Sequence, residues 1–523
     1  MKTKTYQIVL KEIGSLMALM GFIIVVPSVV ALFYNEWYSF LGFLMSGIIT
    51  YGIGISLYSA FLDASEPQFK HGYIIAAFTW LLLTVMGSLP FYIIANITPP
   101  DIIQSFVPVG AKYSSSLLNF QNPLHCFFES MSAFTTTGLS MTVHEPSVGK
   151  AILFYRSFAQ WIGGAGFIVL VLALFKHESG RSVRLLYQSE SFGMNLKNKV
   201  RDTTKVIWKS YVFITLITIL YLIIGTYFIL PDYPLADTIF DSVNHALSGL
   251  STGGFSTLDN SIATYNSVAM DSLYLVPMIL GSFSLPFYYL IFYKHKFNEI
   301  WLDIQTRSLL MCFLVGGIIL SLLLLYSQAV PNPFGAGIFQ YISAMSTTGW
   351  QTSNIQLWDD SSMIFIIFGA MIIGGAWGGS VGGIKIYRAL FIQKGIRWQI
   401  KKEFFSQKTV KALKFDGKVM LPEEANAQLA SVSTYVILFF LILIGSTFIS
   451  TFFIPDNYTF LDALFESTAA QTTSAFSVGI TNPNMNPVVE IIYILQMWLG
   501  RLEIIPVLAL FRSIFMGTDP KIL

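Results

Sequence analysis

Four stretches of this chain can be written beneath one another without a gap. The first reads Phe128-Glu-Ser-Met-Ser-Ala-Phe-Thr-Thr-Thr-Gly138-Leu139, and the second reads Asn244-His-Ala-Leu-Ser-Gly-Leu-Ser-Thr-Gly-Gly254-Phe255. The third is Phe339-Gln-Tyr-Ile-Ser-Ala-Met-Ser-Thr-Thr-Gly349-Trp350, and the fourth is Phe465-Glu-Ser-Thr-Ala-Ala-Gln-Thr-Thr-Ser-Ala475-Phe476. One hydroxyl-rich loop of this type is usually a turn or a helix cap. Four copies in one register form an internal repeat, and such a repeat sets the architecture of its chain.

The sequence on either side of each copy is apolar. The 523 residues are 54% hydrophobic and 11% charged, whereas a soluble domain carries about a quarter charged residues. This excludes a soluble enzyme, and the formal charge of +2 gives no footprint for nucleic acid. Two cysteines, Cys126 and Cys312, cannot build a disulfide framework, and no Cys/His spacing suggests zinc. A membrane span needs roughly 20 apolar residues. Ten spans are expected, near 8–33, 38–60, 73–95, 151–175, 206–230, 270–293, 308–329, 362–390, 429–453 and 487–513. The first is longer than a signal-peptide core and has no small-residue cleavage site after it, so it reads as a retained membrane helix.

Basic residues orient the spans. Lys176, Arg181, Arg184, Lys197, Lys199, Arg201 and Lys205 follow the span at 151–175. Lys394, Arg397, Lys401, Lys402, Lys408, Lys411, Lys414 and Lys418 follow the span at 362–390, and Lys294, Lys296 and Arg307 occupy another connection. All fall on one side together with Lys2 and Lys4, so both termini are expected in the cytoplasm. The opposite connections carry Asp259, Asp271, Asp359 and Asp360.

The four repeated stretches then lie on the outer side, each between two spans. The unit is span, short helix, hydroxyl-rich loop, span. Irregular backbone at membrane depth is tolerated only where it lines a water-filled cavity or is buried in protein. Four such loops can converge on a pseudo-fourfold axis, with the negative C-terminal ends of the short helices aimed at a cation. Rings of carbonyl and hydroxyl oxygen in place of a hydration shell give alkali-cation selectivity. Glycine suits a strand that alternates between ordinary and left-handed backbone. The fold expected is an all-α integral membrane protein of four helix–pore-helix–helix repeats around a pseudo-fourfold pore, plus an N-terminal helix pair. Its boundaries are 1–70 for the pair, then 71–205, 206–300, 301–427 and 428–523 for the repeats.

Three further segments complete a familiar set: Arg156-Ser-Phe-Ala-Gln-Trp-Ile-Gly-Gly-Ala-Gly166, Gly374-Gly-Ala-Trp-Gly-Gly-Ser-Val-Gly-Gly-Ile-Lys385 and Leu499-Gly-Arg-Leu-Glu-Ile-Ile505. With the four loops, they make roughly residues 1–515 resemble the Trk/Ktr superfamily of potassium transporters, its TrkH branch in particular. The resemblance implies potassium uptake across the cytoplasmic membrane through one gated pore per chain, with two chains associating as a homodimer. It also implies control by a separate cytosolic nucleotide-binding ring, TrkA-like in this branch, since no such domain is encoded here. Potassium is the species bound and carried, and no cofactor is expected.

By position, the resemblance assigns the ion-binding filter to Thr136, Thr137 and Gly138, to Thr252, Gly253 and Gly254, to Thr347, Thr348 and Gly349, and to Thr473, Ser474 and Ala475. Either Gly253 or Gly254 fits the second loop, and the ungapped register favours Gly254. Ala475 departs from the usual glycine. An alanine at positive φ costs on the order of 1–2 kcal/mol. Either the fourth loop takes another conformation and coordinates poorly, or it keeps its backbone with the methyl group turned away from the axis.

The span at 362–390 is interrupted by GGAWGGSVGG, and seven of residues 374–383 have no side chain larger than alanine's. Such a break serves either close helix packing or, as the resemblance implies, an intramembrane gate beneath the filter. The gate residues are then Gly374, Gly375, Gly378, Gly379, Gly382 and Gly383, with Arg501. Arg501 inside an apolar helix is a costly charge. It either pairs locally, with Glu503, or stands near the axis, where it repels cations or anchors the gate through carbonyls. Lys385 is expected to snorkel to the interface. Glu129 and Glu466, at matching places, either favour cations or cap helix N-termini. His125 and His245 are placed at the starts of short helices with local hydrogen bonds, and Trp161 is assigned to packing.

The rival mechanism is a potassium symporter coupled to sodium or protons, which calls for a titratable or second-ion site at midplane. A non-conducting membrane scaffold of the same fold is a further rival. The stretches 176–205 and 394–427 are the expected contacts for the cytosolic ring.

Overall fold

The computed structural model describes residues 2–65, 67, 69–166, 200–292, 295, 298–404 and 412–517. Lys176, Arg181, Arg184, Lys197, Lys199, Lys294, Lys296, Lys408 and Lys411 lie outside them, as do most of the first and part of the second expected ring-contact stretch. Among the described residues nearly all regular structure is helical. Among the described residues, six helical segments are long and apolar enough to span a membrane: Thr5–Phe33, which turns briefly at Val26 and Pro27, Trp37–Ala60, His71–Ile97, Thr203–Ile229, Ile304–Ser327 and Pro422–Ser450.

The N-terminal pair packs at close range because small residues face each other. Gly14 lies against Gly54 and Tyr58, and Gly21 against Gly47 and Tyr51, so the helices run antiparallel with their backbones nearly touching. Together with the helix Phe69–Ile97 they form one side of a single core that runs through all four repeats.

The four remaining expected spans are not straight. Val268–Ser282 and Leu285–Phe292 meet at 97°, and Pro487–Arg501 and Ile505–Met516 meet at 112°. The expected span at 151–175 is a helix over Lys150–Ala165 that stops at Gly166, with φ of 88°; its last part lies outside the described residues. The expected span at 362–390 is a helix over Asp360–Ile366, a π turn over Ile367–Met371, an irregular segment, and a helix over Ile386–Glu403. Each is the second long helix of its repeat. The break has a physical cause in three of them. Gly163, Gly281 and Gly500 sit against the carbonyl oxygens of Phe134, Leu250 and Gln471, where any Cβ would collide. These carbonyls end the short helices, so each second helix is pressed onto the tip of the short one and turns away beyond it.

A two-stranded antiparallel hairpin, Leu413–Phe415 with Lys418–Met420, was not expected. Asp416 and Gly417 both have positive φ, as a tight hairpin turn requires. Leu413, Phe415 and Met420 join Phe391, Trp398 and Ala425 in a small second core.

Candidate functional site: four converging loops and the segment beneath them

The four short helices are Pro123–Phe134, Leu235–Leu250, Pro333–Met345 and Phe460–Gln471. Three start on side-chain caps: Asn122 accepts from the Leu124 amide, Asn332 from the Gly335 amide, and Thr459 forms a reciprocal box with Asp462. The helices are too short to cross a membrane, and their C-terminal ends point into the protein.

The loops after them are alike in detail. Thr136, Thr252, Thr347 and Thr473 all have left-handed backbone, with φ of 57°, 54°, 55° and 51°. The next amide reaches back five residues in every copy: Thr137 to Ser132 at 2.9 Å, Gly253 to Ser248 at 2.8 Å, Thr348 to Ser343 at 3.0 Å and Ser474 to Ala469 at 2.9 Å. Gly138, Gly254 and Gly349 then return to positive φ, at 82°, 80° and 80°. This resolves the second loop in favour of Gly254, because Gly253 keeps ordinary backbone. Ala475 does not follow the glycines into positive φ. Its methyl does not point away either: Cβ atoms built on Gly138, Gly254 and Gly349 would all lie within 2.5 Å of it. The four loops therefore converge on one small space, and Ala475 occupies it.

Gly253 lacks the hydroxyl that its counterparts use against the residue two before them, as in Thr135–Thr137 at 2.8 Å and Ser346–Thr348 at 2.9 Å. Gln160 supplies the missing brace. Its Nε2 donates to the Gly253 carbonyl at 2.6 Å, and its Oε1 accepts from Ser248 Oγ at 2.9 Å and the Phe255 amide at 3.3 Å. Sequence reading missed this role. The signal was present, as an amide-bearing residue inside an apolar helix opposite the one loop with Gly-Gly.

Nine residues before each glycine position stands a polar side chain: Glu129, His245, Gln340 and Glu466. Each ties down the chain leaving its loop. Glu129 accepts from Ser140 Oγ at 3.0 Å, the Met141 amide at 2.8 Å and Arg156 Nε at 2.7 Å. Glu466 accepts from Ser477 Oγ at 2.7 Å and from the Val478 and Thr481 amides, both at 2.8 Å. His245 bonds Ser256 Oγ at 3.0 Å and Tyr274 Oη at 3.0 Å, and Gln340 donates to the Ser353 carbonyl at 3.1 Å. The glutamates thus lie deep in their helices rather than at N-termini, and they do not face the space between the loops. His245 sits near the end of its helix rather than the start. His125 is at a helix start and bonds Asn122 at 3.1 Å and Glu490 at 2.9 Å.

A cavity of about 210 Å³ opens over the loops, with Gly138, Gly254, Gly349 and Ala475 on its floor. Glu145, Arg156 and Asp259 stand on its wall. Burial raises the Glu145 carboxyl well above the ordinary carboxylate range, against the opposing pull of Arg156 at 3.9 Å.

On the opposite side of the loops lies the glycine-rich segment 374–383. Gly374, Gly378 and Gly383 have positive φ. Gly375, Gly379 and Gly382 let the backbone pass against the carbonyls of Ser282, Phe283 and Thr472. The Gly382 amide donates to Thr347 Oγ1 at 3.1 Å, and Thr252 Oγ1 donates to Ser380 Oγ at 3.3 Å. The hydroxyls of Thr136 and Thr473 are buried without a protein hydrogen-bond partner. The segment therefore touches three of the four loops from directly below.

Arg501 ends its helix at the 112° bend and holds this segment in place. Nη1 donates to the Ser380 carbonyl at 2.6 Å, and Nη2 donates to the Gly163 carbonyl at 2.5 Å and the Gly164 carbonyl at 3.0 Å. The local pair with Glu503 is not what forms. Glu503 instead bridges Lys385 at 3.0 Å and Arg388. Lys385 is buried in this pair and does not snorkel. Trp161 packs as expected, stacked on Tyr211.

With this geometry in view, the comparison with known proteins is direct. The TrkH family model, described as a cation transport protein, matches residues 42–519. The chain belongs to the TrkH family of cation transport proteins. An uncharacterized cation transporter of Methanocaldococcus jannaschii is 31% identical over 511 residues, covering 98% of this chain and 96% of the relative. The Trk system potassium uptake protein TrkH of Halomonas elongata is 28% identical, covering 97% of this chain and 99% of its own. The crystal structure of the potassium transporter TrkH from Vibrio parahaemolyticus matches with a TM-score of 0.76 at 25% identity, covering 98% of this chain and 99% of that chain. As a TrkH-family member the chain is a multi-pass membrane transporter of cations and not an enzyme.

Proposed function

We propose that the chain takes up potassium across the cytoplasmic membrane through a channel-like pore. The residues assigned to ion binding are Thr136, Thr137 and Gly138; Thr252, Gly253 and Gly254; Thr347, Thr348 and Gly349; and Thr473, Ser474 and Ala475. The observation that carries this reading is the fourfold recurrence of one backbone course, left-handed at each threonine, around a shared central space. The two buried hydroxyls at that level with no protein partner, on Thr136 and Thr473, suit a bound cation. The named function of the Halomonas elongata and Vibrio parahaemolyticus proteins supports potassium as the ion.

The segment with Gly374, Gly375, Gly378, Gly379, Gly382 and Gly383 is the gate, and Arg501 is its latch. One charge-assisted bond from Arg501 to the Ser380 carbonyl ties the segment, through two more to the Gly163 and Gly164 carbonyls, to the end of the helix Lys150–Ala165, and opening requires release of the first. Both termini are cytoplasmic, two chains form a homodimer, and a TrkA-like cytosolic nucleotide-binding ring acts on the described part of 394–427. The alternative, symport with sodium or protons, calls for a carboxylate on the ion path. Glu129 and Glu466, on the short helices, are committed to amides and hydroxyls behind them, and Glu145 and Asp259 stand on the cavity wall over the loops rather than between them.

The test is cation flux into liposomes holding the purified chain, with potassium, rubidium, sodium or lithium supplied on one side and a voltage imposed. Each charge moving through 100 mV gains about 2.3 kcal/mol. Flux of potassium and rubidium above sodium that follows the voltage alone is expected. Potassium movement that requires a sodium or proton gradient would establish the symporter instead.

A further inference from the structure

The fourth loop departs from the other three at a single peptide. Through Ser474 it makes the same backbone bonds as its counterparts. Beyond that residue the neighbours differ. A Cβ built on Gly138 would fall on the Gly253 carbonyl oxygen, and one built on Gly254 on the Thr348 carbonyl oxygen. One built on Gly349 meets the amide nitrogen of Ala475 in the corresponding place, not the Ser474 oxygen. The Ser474–Ala475 peptide is therefore turned over relative to the three equivalent peptides. Ordinary φ at Ala475 says the same thing independently. An L-alanine avoids the left-handed region because its Cβ crowds the following carbonyl oxygen.

The methyl ends up at the centre. It lies within 2.5 Å of the Cβ positions of all three glycines. On a pseudo-fourfold ring, the fourth corner is farther from the opposite corner than from the adjacent ones. A point close to all three others is on the axis. The outermost ring thus has three quarters alike, one quarter with its peptide turned over, and a methyl group in the path.

From this, and resting on the pore reading above, we infer that Ala475 is the residue that limits rate and selectivity at the outer end of the filter. Its methyl closes the axis while the Ser474–Ala475 peptide is turned over. The ring accepts a dehydrated potassium ion when that peptide rotates and Ala475 takes left-handed backbone, as the three glycines do. This outer closure is separate from the segment 374–383, which lies on the other side of the loops. The penalty on left-handed alanine lowers the open population by roughly five- to thirty-fold.

The test uses the full-length chain, native and as Ala475→Gly, with Gly349→Ser beside them. Two readouts are taken: rubidium uptake into liposomes under an imposed voltage, and potassium binding in detergent by calorimetry, which does not depend on the inner segment being open. Ala475→Gly is expected to tighten potassium binding and speed rubidium uptake by roughly five- to thirty-fold, and to raise the potassium-to-sodium ratio. If Ala475→Gly leaves both readouts unchanged while Gly349→Ser loses both, the filter stands and the role of Ala475 is refuted. If Gly349→Ser changes neither, the filter reading itself fails and this inference goes with it.

Discussion

Two glycine-rich regions lie on either side of one set of threonine hydroxyls, and they use glycine in different ways. In the loops, Gly138, Gly254 and Gly349 serve a backbone angle, and three equivalent positions adopt nearly the same φ. The bonds that hold them recur from copy to copy. In the segment 374–383, Gly374, Gly378 and Gly383 also serve a backbone angle, but Gly375, Gly379 and Gly382 serve close approach, each against a different carbonyl, and no bond recurs. Its anchors come from several different elements, among them Arg501, Thr347, Thr252, Gln305, Ser282 and Leu285, each through a bond of its own kind. A structure specified four times over resists displacement of any one part. A structure held by unlike contacts can lose some of them without disturbing a repeated pattern, which suits a moving part.

The largest expected effect comes from breaking the repeated side of this contrast. Gly349→Ser places a Cβ against the Ala475 backbone and adds the left-handed penalty of about 1–2 kcal/mol. Potassium flux should fall by more than about ten-fold, with selectivity lost. Unchanged permeability would remove that loop from the ion path.

Next comes the unique side. Arg501→Gln removes charge-assisted bonds worth about 1.5–3 kcal/mol each. Basal flux without a cytosolic partner should rise about ten-fold or more, and deleting several glycines of 374–383 should act in the same direction. A chain that stays closed after both changes has its gate elsewhere.

A smaller effect sharpens the comparison among the loops themselves. Gln160→Leu leaves the Gly253 carbonyl and Ser248 hydroxyl without their brace, at about 1–3 kcal/mol. The potassium-to-sodium ratio should drop while protein yield and melting temperature change little. A ratio equal to the native one would make Gln160 a packing residue only.

The smallest effect is at the cavity over the loops. Burial raises the Glu145 carboxyl above the ordinary carboxylate range, and it faces Arg156, Asp259 and Glu129, with His144 beside Asp259. Raising the outside pH through its elevated pKa adds a negative charge at the entrance, so flux should rise with pH. Glu145→Gln should flatten that rise, and an identical pH profile would assign it to another group.

Much of this was legible in the sequence because it rests on local chemistry. Threonine and glycine at fixed places report a backbone that alternates in hand, and four copies report an axis. The GGAWGGSVGG break was legible as an interruption of its span, while its glycines alone left close helix packing and a loop both open. The fate of Ala475 was not legible, because turning over one peptide depends on neighbours from three distant repeats. The 112° bend was hidden for another reason. Glu503 and Ile504 carry φ of 63° and 61° there, and a β-branched residue in that region is a genuine outlier. Only the surroundings impose it, through the Glu503 pairs with Lys385 and Arg388 and the carbonyls that Arg501 grips. The bend at Phe283 left faint marks in Gly281 and Pro286, which flank it. The hairpin at 413–420 carried an Asp-Gly turn that a closer reading of the basic stretch would have found.

The most direct measurement is to locate rubidium in crystals of the chain by anomalous diffraction. A peak on the axis between the loops, at the level of Thr136, Thr252, Thr347 and Thr473, is the expected result. Rubidium bound elsewhere in the membrane region, with that axis empty at saturating concentration, would contradict the assignment of these loops as the ion path.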